Sequence, residues 1–492
     1  MLERQLFIDG RWTQGTTGER RGVVNPANGE TFAEVAEATV EDLNTAVAAA
    51  KRAYEDWSAL SPGARSTYLE AMADYLQEHA AEIAAEETDN VGKPLKLTND
   101  SDVPFAIDNL RYFAAAARHL SGQAQAEYTS GYTSSIRREP LGVVGSIAPW
   151  NYPFLMAAWK VGPALAAGNT VVLKPASLTP VTAFRFAEAA EAAGLPPGVF
   201  NVVSGGGKTV GAAMSRHRDI RMVSLTGDSH TGREIMREAS ATLKRVHLEL
   251  GGKAPFIVFA DANLDAAAQG AVVGGMVNTG QDCTAATRIY VQRPAYDAFM
   301  QRFLDRMARV RYGSPTDPAS DIGPLVSQAQ LDKVTGMVQR ALAAGAKAHV
   351  LGVAGDTKVG YFYPPTVLEH VAQDSEVVQD EIFGPVLVVL PFDDEAEAIR
   401  LGNDVDYGLA SSVWTESVHT AQRVANKLEF GTVWVNDHLP LASEMPHGGF
   451  KQSGFGKDMS IYSFDEYTKI KHVMVELAGD VVKPWHYTVF GG

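Results

Sequence analysis

The sequence contains a single cysteine, Cys283, which lies in the string GQDCTAATR. One cysteine cannot form an intrachain disulfide or a multi-thiolate metal site. Most lone cysteines are small buried hydrophobic residues, but Gly280, Gln281, Asp282 and Thr284 form a polar, turn-prone setting that packs a core poorly. That setting predicts a sulfur exposed to substrate beside polarising N–H groups, which a nucleophilic thiol needs because it ionises only slightly at neutral pH.

Two further side chains are of the types that would assist such a thiol. Asn151 lies in PWNYP, directly after an apolar strand, and its amide could donate a hydrogen bond to a developing oxyanion. Glu249 lies between two leucines in LELGGKAP, and burial would raise its pKa toward the range of a general base. The alternatives are a turn-forming asparagine and an edge-strand glutamate that faces water.

Three other strings could bind a nucleotide cofactor. Lys174 follows a hydrophobic strand in LKPAS, where a cation would meet cofactor hydroxyls or phosphate. SLTGDSHTG would place glycines and a helix N-terminus beside a pyrophosphate, although its spacing differs from GxGxxG. In EIFGP, Glu381 and Phe383 are two apart, so on extended chain they would offer a hydroxyl acceptor and a flat apolar surface together. Each string alone also fits an ordinary strand end, turn or loop.

The elements that must position these residues alternate between strands and helices. Residues 40–118 are rich in Ala and Glu and have helical periodicity. Beyond residue 141, short apolar runs alternate with helical segments, which predicts βαβ units, parallel sheets and two α/β domains. The predicted strands are LGVVGSIAP, NTVVLKP, GVFNVVSG, RMVSLTG and RVHLELGG, and in a second region APFIVF, TRIYVQ, AHVLGV, PVLVVLPF and GTVWVN.

The composition limits the class of protein and its partners. Hydrophobic residues make up 46% of the 492 residues and charged residues 21%, which is typical of a soluble globular protein. The net charge of −15 argues against nucleic acid and anionic membranes, since no basic stripe can neutralise phosphates. Without an export signal, a long apolar run or disulfides, a cytoplasmic location is expected. The sequence has no HExxH motif and no cluster of Cys and His, so no metal site is predicted.

Taken together, the motifs are far more specific than any one of them. Their order is PWNYP, KPAS, TGxxxxG, ELGGKAP, GQDC, EIFGP, GTVWVN and GGFKQSGFGKD, and over nearly the whole chain this set resembles the NAD(P)-dependent aldehyde dehydrogenase superfamily. GQDCTAATRIY, SSVWT, SEMPHGG, SGFGKDMS and KHVMV most resemble the bacterial γ-aminobutyraldehyde dehydrogenases, which are close to the betaine aldehyde dehydrogenases.

The resemblance implies a fold and its division into domains. We expect an aldehyde dehydrogenase-like α/β fold with two Rossmann-type parallel-sheet domains and a β-hairpin oligomerisation arm. The cofactor-binding domain is expected at residues 1–120 and 139–250, and the catalytic domain at 251–450. Residues 121–138 and 469–492 are expected to form the arm, adding a strand to a neighbour's sheet and so covering an exposed edge. The expected assembly is a dimer or a tetramer built from dimers.

The resemblance also implies a mechanism for the residues already described. The Cys283 thiolate would attack the aldehyde carbon, and the Asn151 amide and the Cys283 N–H would stabilise the resulting oxyanion. Hydride transfer to NAD or NADP would leave a thioester, which a water activated by Glu249 would hydrolyse to the acid. The implied cofactor contacts are Ile147, Trp150, Lys174, Ser177, Gly205, Gly207, Thr226, Gly227, Asp228, Gly232, Leu250, Glu381 and Phe383.

Two of these residues depart from the pattern of the family. Many NAD-preferring relatives have Glu at the position of Ser177, where it accepts from the adenosine ribose 2′-hydroxyl. A serine would not repel a 2′-phosphate, so we expect NADP to be tolerated. Relatives commonly have Ser at the position of Asp228, and a carboxylate there would repel pyrophosphate unless it turns away to cap the following helix. We expect the cap, with Ser229 as a substitute contact to phosphate.

The implied substrate is an ω-aminoaldehyde such as 4-aminobutyraldehyde, whose cation carboxylates or aromatic faces would bind. The candidate substrate residues are Tyr152, Trp159, Asp102, Asp108, Leu441 and His447. Each also fits an ordinary packed aromatic or surface residue. Betaine aldehyde, succinate semialdehyde and a broad range of aliphatic and aromatic aldehydes are the alternatives, and a cysteine hydrolase or a non-catalytic protein of the same fold are alternatives of other classes. The aromatic tail beyond residue 480 would pack at an interface or on its own chain.

Overall fold

The computed structural model describes residues 1–120, 122–483 and 485–490. Ser121, Pro484, Gly491 and Gly492, which belong to the predicted oligomerisation arm, lie outside the described residues. Two large sheets organise the described part of the chain, and four smaller sheets join its loops and ends. No helix among these residues combines the length and the apolar character that crossing a bilayer requires.

The eight-stranded sheet has a parallel centre and antiparallel edges. Its strands, in spatial order, are Gly454–Phe455, Arg245–Glu249, Ile220–Thr226, Val143–Ile147, Thr170–Lys174, Phe200–Val202, Leu6–Ile8 and Arg11–Thr13. After Val143–Ile147, the strands Thr170–Lys174 and Phe200–Val202 are added on one side of it. The next strand, Ile220–Thr226, pairs with the opposite side of Val143–Ile147. That reversal opens a crevice at the carboxyl ends of these two strands, which is where α/β sheets bind ligands.

The seven-stranded sheet repeats this plan in the second half of the chain. Its strands, in spatial order, are Lys347–Val350, Thr366–Glu369, Val386–Phe392, Arg288–Gln292, Pro255–Val258, Ala410–Trp414 and Thr432–Val435. All neighbours pair in parallel except Lys347–Val350, which is antiparallel at one edge. The central strands are mostly apolar and mostly buried, as is typical of a parallel sheet covered by helices.

The smaller sheets and the helices complete the fold. The smaller sheets pair Leu2–Arg4, Thr31–Ala36 and Arg20–Val24; Thr468–Glu476, Tyr132–Pro140 and Ala126–Thr129; Arg311–Tyr312 and Val353–Ala354; and Tyr407–Gly408 and Phe450–Lys451. The α-helices are Val40–Ala59, Pro62–Glu78, Ala80–Val91, Leu95–Leu97, Val103–Ala116, Pro153–Ala166, Phe184–Ala192, Ala212–Arg216, Ser229–Ala239, Leu264–Met276, Tyr296–Met307, Gln328–Ala343, Glu376–Gln379, Glu395–Asn403, Val418–Ala425, Ser463–Tyr467 and Tyr487–Phe490. Short π-helices at Thr98–Asp102 and Gly207–Gly211 and 3-10 helices at Ser240–Thr242, Val277–Gly280 and Arg293–Ala295 complete the set.

The predicted α/β class is confirmed, and each predicted strand of the two regions contributes to one of the large sheets. Two central strands of the second sheet, Thr366–Glu369 and Ala410–Trp414, were missed, as were the short edge strands near the N-terminus. These segments are short, and burial by distant parts of the chain decides their conformation. The functional division into a cofactor-binding and a catalytic domain stays a prediction.

The predicted hairpin is present, and a third strand covers it. Ala126–Thr129 and Tyr132–Pro140 pair with each other, and Thr468–Glu476 pairs with the second of them in antiparallel register. Ile470, Met474 and Val475 on that third strand are exposed large hydrophobic residues. An exposed apolar strand is a ready surface for another chain, but the oligomerising role of this arm stays a prediction.

Asn169 ties the first strand of the crevice to the C-terminal part of the chain. Its Oδ1 accepts from the N–H groups of Leu141 and Gly142 at 2.7 and 3.1 Å. Its Nδ2 donates to the carbonyls of Ala164 and Tyr467 at 3.2 and 2.9 Å. Because the residue is fully buried, no water can replace these four bonds.

Replacing Asn169 with Ala should therefore lower the free energy of unfolding by about 3 kcal/mol, since buried backbone groups lose their partners. Urea unfolding followed by circular dichroism measures this loss. The control is Asn426→Ala, at an exposed position, which should change the free energy of unfolding by less than about 0.5 kcal/mol. Equal midpoints for the two variants would contradict the role assigned to Asn169.

Candidate active site

A cavity of about 620 Å³ opens onto the sulfur of Cys283, which is only half-buried. Helices from three parts of the chain, Val103–Ala116, Pro153–Ala166 and Leu264–Met276, and two loops contribute to its walls. The helix Pro153–Ala166 and the residue before it present Tyr152, Leu155, Met156 and Trp159 at helical spacing on one face. The cavity is also lined by Leu97, Asp100, Ser101, Asp102, Pro104, Phe105, Asp108, Val273, Val277, Asp282, Thr284, His438, Leu439, Pro440, Leu441 and His447. A small molecule can therefore reach the thiol.

The backbone before Cys283 is held in an unusual conformation. Asn278, Thr279 and Gly280 have successive φ values of 51°, 58° and 68°, which L side chains rarely adopt. A side chain at Gly280 would place its Cβ 2.2 Å from the carbonyl oxygen of Gly384, so this position requires glycine. The Asn278 amide donates to the carbonyl of Gln281 at 3.0 Å and stabilises the turn. Strain of this kind persists only where surrounding contacts over-determine it.

Asn151 is joined directly to this turn. Its Nδ2 donates to the Gln281 carbonyl at 3.1 Å, and its own carbonyl accepts from Asn278 Nδ2 at 3.0 Å. The side chain is buried, so the alternative of an exposed turn-forming asparagine does not apply. An amide nitrogen carries two hydrogens, and among the described residues the second hydrogen has no acceptor. Asn151 therefore lies beside the cysteine loop with one Nδ2 hydrogen available to a ligand.

The surroundings of Cys283 oppose the ionisation of its thiol. Burial raises its pKa well above the usual value, and the nearby carboxylates of Asp282, Glu381 and Glu249 raise it further. Asp282 is fixed by the Tyr152 hydroxyl, which donates to it at 2.7 Å. This outcome is opposite to the sequence-based expectation that the flanking residues would favour the thiolate. The sequence string did not reveal that distant carboxylates converge on the sulfur.

Glu249 ends the strand Arg245–Glu249 and is 3% exposed, so the alternative of a glutamate facing water is excluded. The strand Gly454–Phe455 pairs on its outer side and covers the edge. Burial raises the pKa of the carboxyl well above its usual value, and Asp458 raises it further. Among the described residues neither carboxyl oxygen has a hydrogen-bond partner. A carboxyl with a raised pKa and unpaired oxygens is suited to proton transfer.

The EIFGP string lies beside this strand end, but its conformation differs from the one predicted. Phe383 has a φ of 60°, so Glu381 and Phe383 do not lie on extended chain as expected, and that reasoning was wrong. Glu381 Oε1 accepts from the Gly252 N–H at 2.9 Å, and burial raises the pKa of Glu381 to about 7. The Phe383 ring packs edge-on against Trp150, with ring centroids 5.1 Å apart.

Lys174 and Ser177 lie at the carboxyl end of another strand of the same sheet. Lys174 Nζ donates to the Pro175 carbonyl at 3.1 Å, and burial and the charge of Arg21 lower its pKa to about 8. The Ser177 hydroxyl donates to the Gly205 carbonyl at 3.0 Å. The two side chains therefore face a common region near the glycines that follow the strand Phe200–Val202.

The predicted glycines differ in how much free space surrounds the position that a Cβ atom would occupy. A Cβ at Gly205 would lie 2.5 Å from Val210, and one at Gly232 would lie 2.7 Å from Leu250. Protein atoms fill those two spaces. A Cβ at Gly207, in contrast, would meet nothing within 4 Å. Their proposed role in cofactor approach stays a prediction, with Gly207 the most open of them.

The loop Thr226–Asp228 joins the strand Ile220–Thr226 to the helix Ser229–Ala239. The Gly227 N–H donates to the Glu249 carbonyl at 2.9 Å, which ties this loop to the neighbouring strand end. Asp228 is the expected cap, because its carboxylate accepts from the N–H and hydroxyl of Thr231 at 2.9 and 2.7 Å. The Ser229 hydroxyl donates to the Gln452 carbonyl, so it is already engaged.

The candidate substrate residues lie on the cavity wall. Trp159 and His447 are in contact, with ring centroids 5.2 Å apart, and burial lowers the pKa of His447 to about 4. Asp108 is exposed and accepts from Ser443 at 2.5 Å, while Leu441 lies near the opening. Asp102 differs from expectation because it already has a counter-ion, as described next.

Sequence reasoning missed a buried pair behind Tyr152. Lys93 Nζ lies 2.5 Å from Asp102 Oδ2, and both side chains are almost fully buried. The same ammonium lies 3.7 Å from the centroid of the Tyr152 ring. No local signal in the sequence links Lys93 to the PWNYP string. His438 was also missed, although it lines the cavity.

Two alternatives can be compared with this geometry. Within the described part of the chain, no histidine forms a hydrogen bond to the Cys283 sulfur, which a cysteine–histidine hydrolase would use. Among the same residues, no group of three or more His, Cys, Asp or Glu side chains is arranged to hold a metal ion.

Comparison with known proteins places this arrangement in a family. Residues 12–473 match the aldehyde dehydrogenase family. The Bacillus subtilis (strain 168) protein named "Putative aldehyde dehydrogenase DhaS" is 40% identical over 476 residues, with 96% of each chain covered. A betaine aldehyde dehydrogenase of Staphylococcus aureus, solved in complex with NAD+, is 38% identical with a TM-score of 0.95, over 98% of this chain and 96% of that chain. PnpE from Pseudomonas sp. WBC-3 is 37% identical with a TM-score of 0.95, over 98% and 100% of the two chains.

An α/β protein with this fold and this sequence pattern is an oxidoreductase of the aldehyde-oxidising class. The chain belongs to the aldehyde dehydrogenase family, and the predicted family and enzyme class are confirmed.

The raised pKa of Cys283 leads to a prediction about its reactivity. Because only the thiolate is alkylated, the rate of modification by iodoacetamide should rise about tenfold per pH unit from pH 6 to 8.5, without a plateau. Mass spectrometry measures the labelled fraction over time, and Cys283→Ser, which removes the only cysteine, is the control. A plateau below pH 7 would show that the thiol is ionised despite its carboxylate neighbours.

Proposed function

We propose that this enzyme oxidises an aldehyde to the carboxylic acid through a covalent adduct on Cys283, with NAD or NADP as the cofactor. One observation carries the proposal: the cavity reaches a thiol that lies beside the Asn151 amide and the buried Glu249 carboxyl. Sulfur is a good nucleophile and a good leaving group, and a carboxylate of raised pKa can take a proton from water.

The residues at the crevice fit a dinucleotide. Glu381 is held by the Gly252 N–H with its second oxygen available for a ribose hydroxyl, and Phe383 and Trp150 offer apolar ring surface beside it. Lys174 and Ser177 would meet the adenosine ribose at the other end. When bound, the cofactor would supply the acceptor for the hydride that leaves the aldehyde carbon. Ile147, Gly205, Gly207, Thr226, Gly227, Asp228, Gly232 and Leu250 are the remaining proposed contacts.

The chain's own residues perform the covalent steps. The thiolate form of Cys283 bonds to the aldehyde carbon, and the carbonyl oxygen becomes an oxyanion that the Asn151 Nδ2–H and the Cys283 N–H stabilise. Loss of one such donor costs about 10²–10³ in rate. After oxidation to the thioester, Glu249 takes a proton from the attacking water. Cys283 then leaves as a thiolate, and the acid is released.

We propose that NADP is accepted as well as NAD. Ser177 presents a neutral hydroxyl that donates to Gly205, so no carboxylate at this position opposes a 2′-phosphate. Lys174 and Arg21 add positive charge to the same region, because the charge of Arg21 acts on Lys174. Glu37 pairs with Arg21 and offsets part of that charge, so we expect the two cofactors to be used within about a thousandfold of each other in kcat/KM.

We propose that the substrate carries a cation at its far end, as 4-aminobutyraldehyde does. Asp100 and Asp108 are exposed carboxylates on the cavity wall, and Trp159 adds an aromatic face. Asp102 contributes less, since Lys93 already neutralises it. Betaine aldehyde is the second candidate, because it has the same charge and because a related solved structure is a betaine aldehyde dehydrogenase.

We further propose a homo-oligomer, a dimer or a tetramer of two dimers, in the cytoplasm. The exposed apolar residues of the strand Thr468–Glu476 support the assembly, because such a strand can add to a neighbouring sheet. The acidic net charge of −15 and the single cysteine are consistent with the location.

The direct test is a panel of aldehydes with each cofactor, followed by absorbance of the reduced cofactor. The protein should reduce NAD with 4-aminobutyraldehyde and should also turn over with NADP. Cys283→Ala should abolish reduction with every aldehyde, because no covalent adduct can form. The control Asp305→Asn, an exposed position outside the cavity, should retain activity. Cofactor reduction by Cys283→Ala at the wild-type rate would refute the mechanism.

The charge of Asp108 provides a test of the substrate class. Asp108→Asn keeps an oxygen for Ser443 but loses the charge, so KM for 4-aminobutyraldehyde should rise about five- to tenfold. KM for butyraldehyde, a neutral aldehyde of the same carbon length, should change less than about twofold. An equal rise for the two aldehydes would remove the support for a cationic substrate.

A further inference from the structure

A buried imidazole lies behind the Glu249 carboxyl, and the steps described above do not use it. His247 and Glu249 are two apart on the strand Arg245–Glu249, so their side chains point to the same face of the sheet. His247 has no exposed surface. The antiparallel strand Gly454–Phe455 pairs with Leu248 and Glu249 and brings Asp458 to this face.

Two glycines make room for these side chains. A Cβ at Gly456 would lie 2.2 Å from Cδ2 of His247, and one at Gly448 would lie 2.6 Å from Oε1 of Glu249. Both glycines have positive φ values, 90° and 154°. The backbone of this region is therefore shaped around an imidazole and a carboxyl.

The hydrogen bonds of the imidazole define its tautomer. The Tyr467 hydroxyl donates to Ser224 Oγ at 3.2 Å, and Ser224 Oγ lies 2.9 Å from His247 Nδ1. With the Tyr467 hydroxyl donating to Ser224 Oγ, His247 Nδ1 is the acceptor that remains among the described residues for the Ser224 hydroxyl hydrogen. A buried hydroxyl is rarely left without an acceptor, so Ser224 donates to Nδ1 and the ring proton is on Nε2.

The Nε2 atom faces an unpaired oxygen on each of two carboxyl groups. Nε2 lies 3.7 Å from Glu249 Oε1 and 3.8 Å from Asp458 Oδ1, and within the described residues all three atoms are buried without a hydrogen bond. The other oxygen of Asp458 accepts from Lys160 Nζ at 2.7 Å. A small side-chain rotation or one bridging water would join the three atoms.

We propose that His247 is a positioning residue for Glu249: its neutral Nε2–H donates toward the Glu249 carboxylate, favours the ionised base and links it to the Asp458–Lys160 pair. This inference rests on the proposed function of Glu249 in hydrolysing the thioester. The role requires a donor of fixed direction, which the Tyr467–Ser224–His247 chain supplies.

The electrostatic surroundings agree with a neutral imidazole. Burial lowers the pKa of His247 well below its usual value, and the charges of Lys160 and Lys457 lower it further. The titratable groups that act on this cluster are Lys160, Glu249, Cys283, His447, Lys457, Asp458, Glu466 and Tyr467. A donor to the carboxylate stabilises its charged form, so removal of the donor should raise the pKa of Glu249.

The test compares His247→Phe, which loses both ring nitrogens, with His247→Gln, which retains an N–H within reach. In His247→Phe the burst of reduced cofactor should persist, because the step at Cys283 is intact, while the turnover that follows should slow about tenfold at pH 7. The acid limb of the kcat profile should move to higher pH by about one unit. In His247→Gln both quantities should stay within about threefold of wild type.

Tyr467→Phe provides a second route if His247→Phe fails to fold. It removes only the hydroxyl that orients Ser224, so it should shift the acid limb in the same direction by a smaller amount. Infrared spectroscopy supplies a readout that does not need turnover: the protonated carboxyl band lost in Glu249→Gln should persist to higher pH in both variants.

An unchanged acid limb and an unchanged carboxyl band in His247→Phe and Tyr467→Phe would overturn the inference while leaving the proposed function standing. Equal losses of burst, turnover and thermal stability in all variants, His247→Gln included, would also overturn it, because that pattern reports a structural role. Failure of the proposed function is distinct, since the wild-type protein itself would then reduce no cofactor with any aldehyde.

Discussion

The carboxyl ends of parallel strands lie at the same edge of a sheet, and this constraint places the residues of the site close together. The strands Val143–Ile147, Ile220–Thr226 and Arg245–Glu249 are neighbours in the eight-stranded sheet, and their carboxyl ends deliver Asn151, the Thr226–Asp228 loop and Glu249 to one crevice. The second sheet carries Cys283 to the same place on the loop before Arg288–Gln292. The reactive groups therefore come from several elements, and they lie together because the edges of the two sheets are adjacent.

Charge is the second property that organises the site. Asp282, Glu381 and Glu249 lie close enough to raise the pKa of the Cys283 thiol, and exposed aspartates line the approach to it. The cation of the proposed substrate and the positive charge of a nicotinamide ring would both complement this acidic site. The acidic environment keeps the sulfur protonated on its own and so limits unwanted reaction of the thiol with other electrophiles.

Much of this arrangement could be predicted from the sequence, because local patterns report strands, turns and unusual residues. The solitary Cys283, the glutamate between two leucines and the alternation of apolar runs and helices identified the α/β class and the candidate reactive residues. Contacts between separate segments of the chain could not be predicted, since no local pattern links Lys93 to Tyr152 or Glu381 to the thiol. The extended conformation expected at Phe383 was wrong because a left-handed backbone residue gives no reliable signal in this string. His247 could have been found: it lies two residues before Glu249 on the same strand.

The contact between Gly456 and His247 has a consequence for how this region can change. A methyl group at 456 would occupy the space of the imidazole edge, so an alanine there would need a smaller residue at 247 as well as tolerance of the positive φ of 90°. Substitutions at 456 therefore depend on the residue at 247, although the two positions are separated by more than two hundred residues along the chain. An engineering library that adds a side chain at 456 would crowd His247, so substitutions at 456 should be combined with a smaller residue at 247.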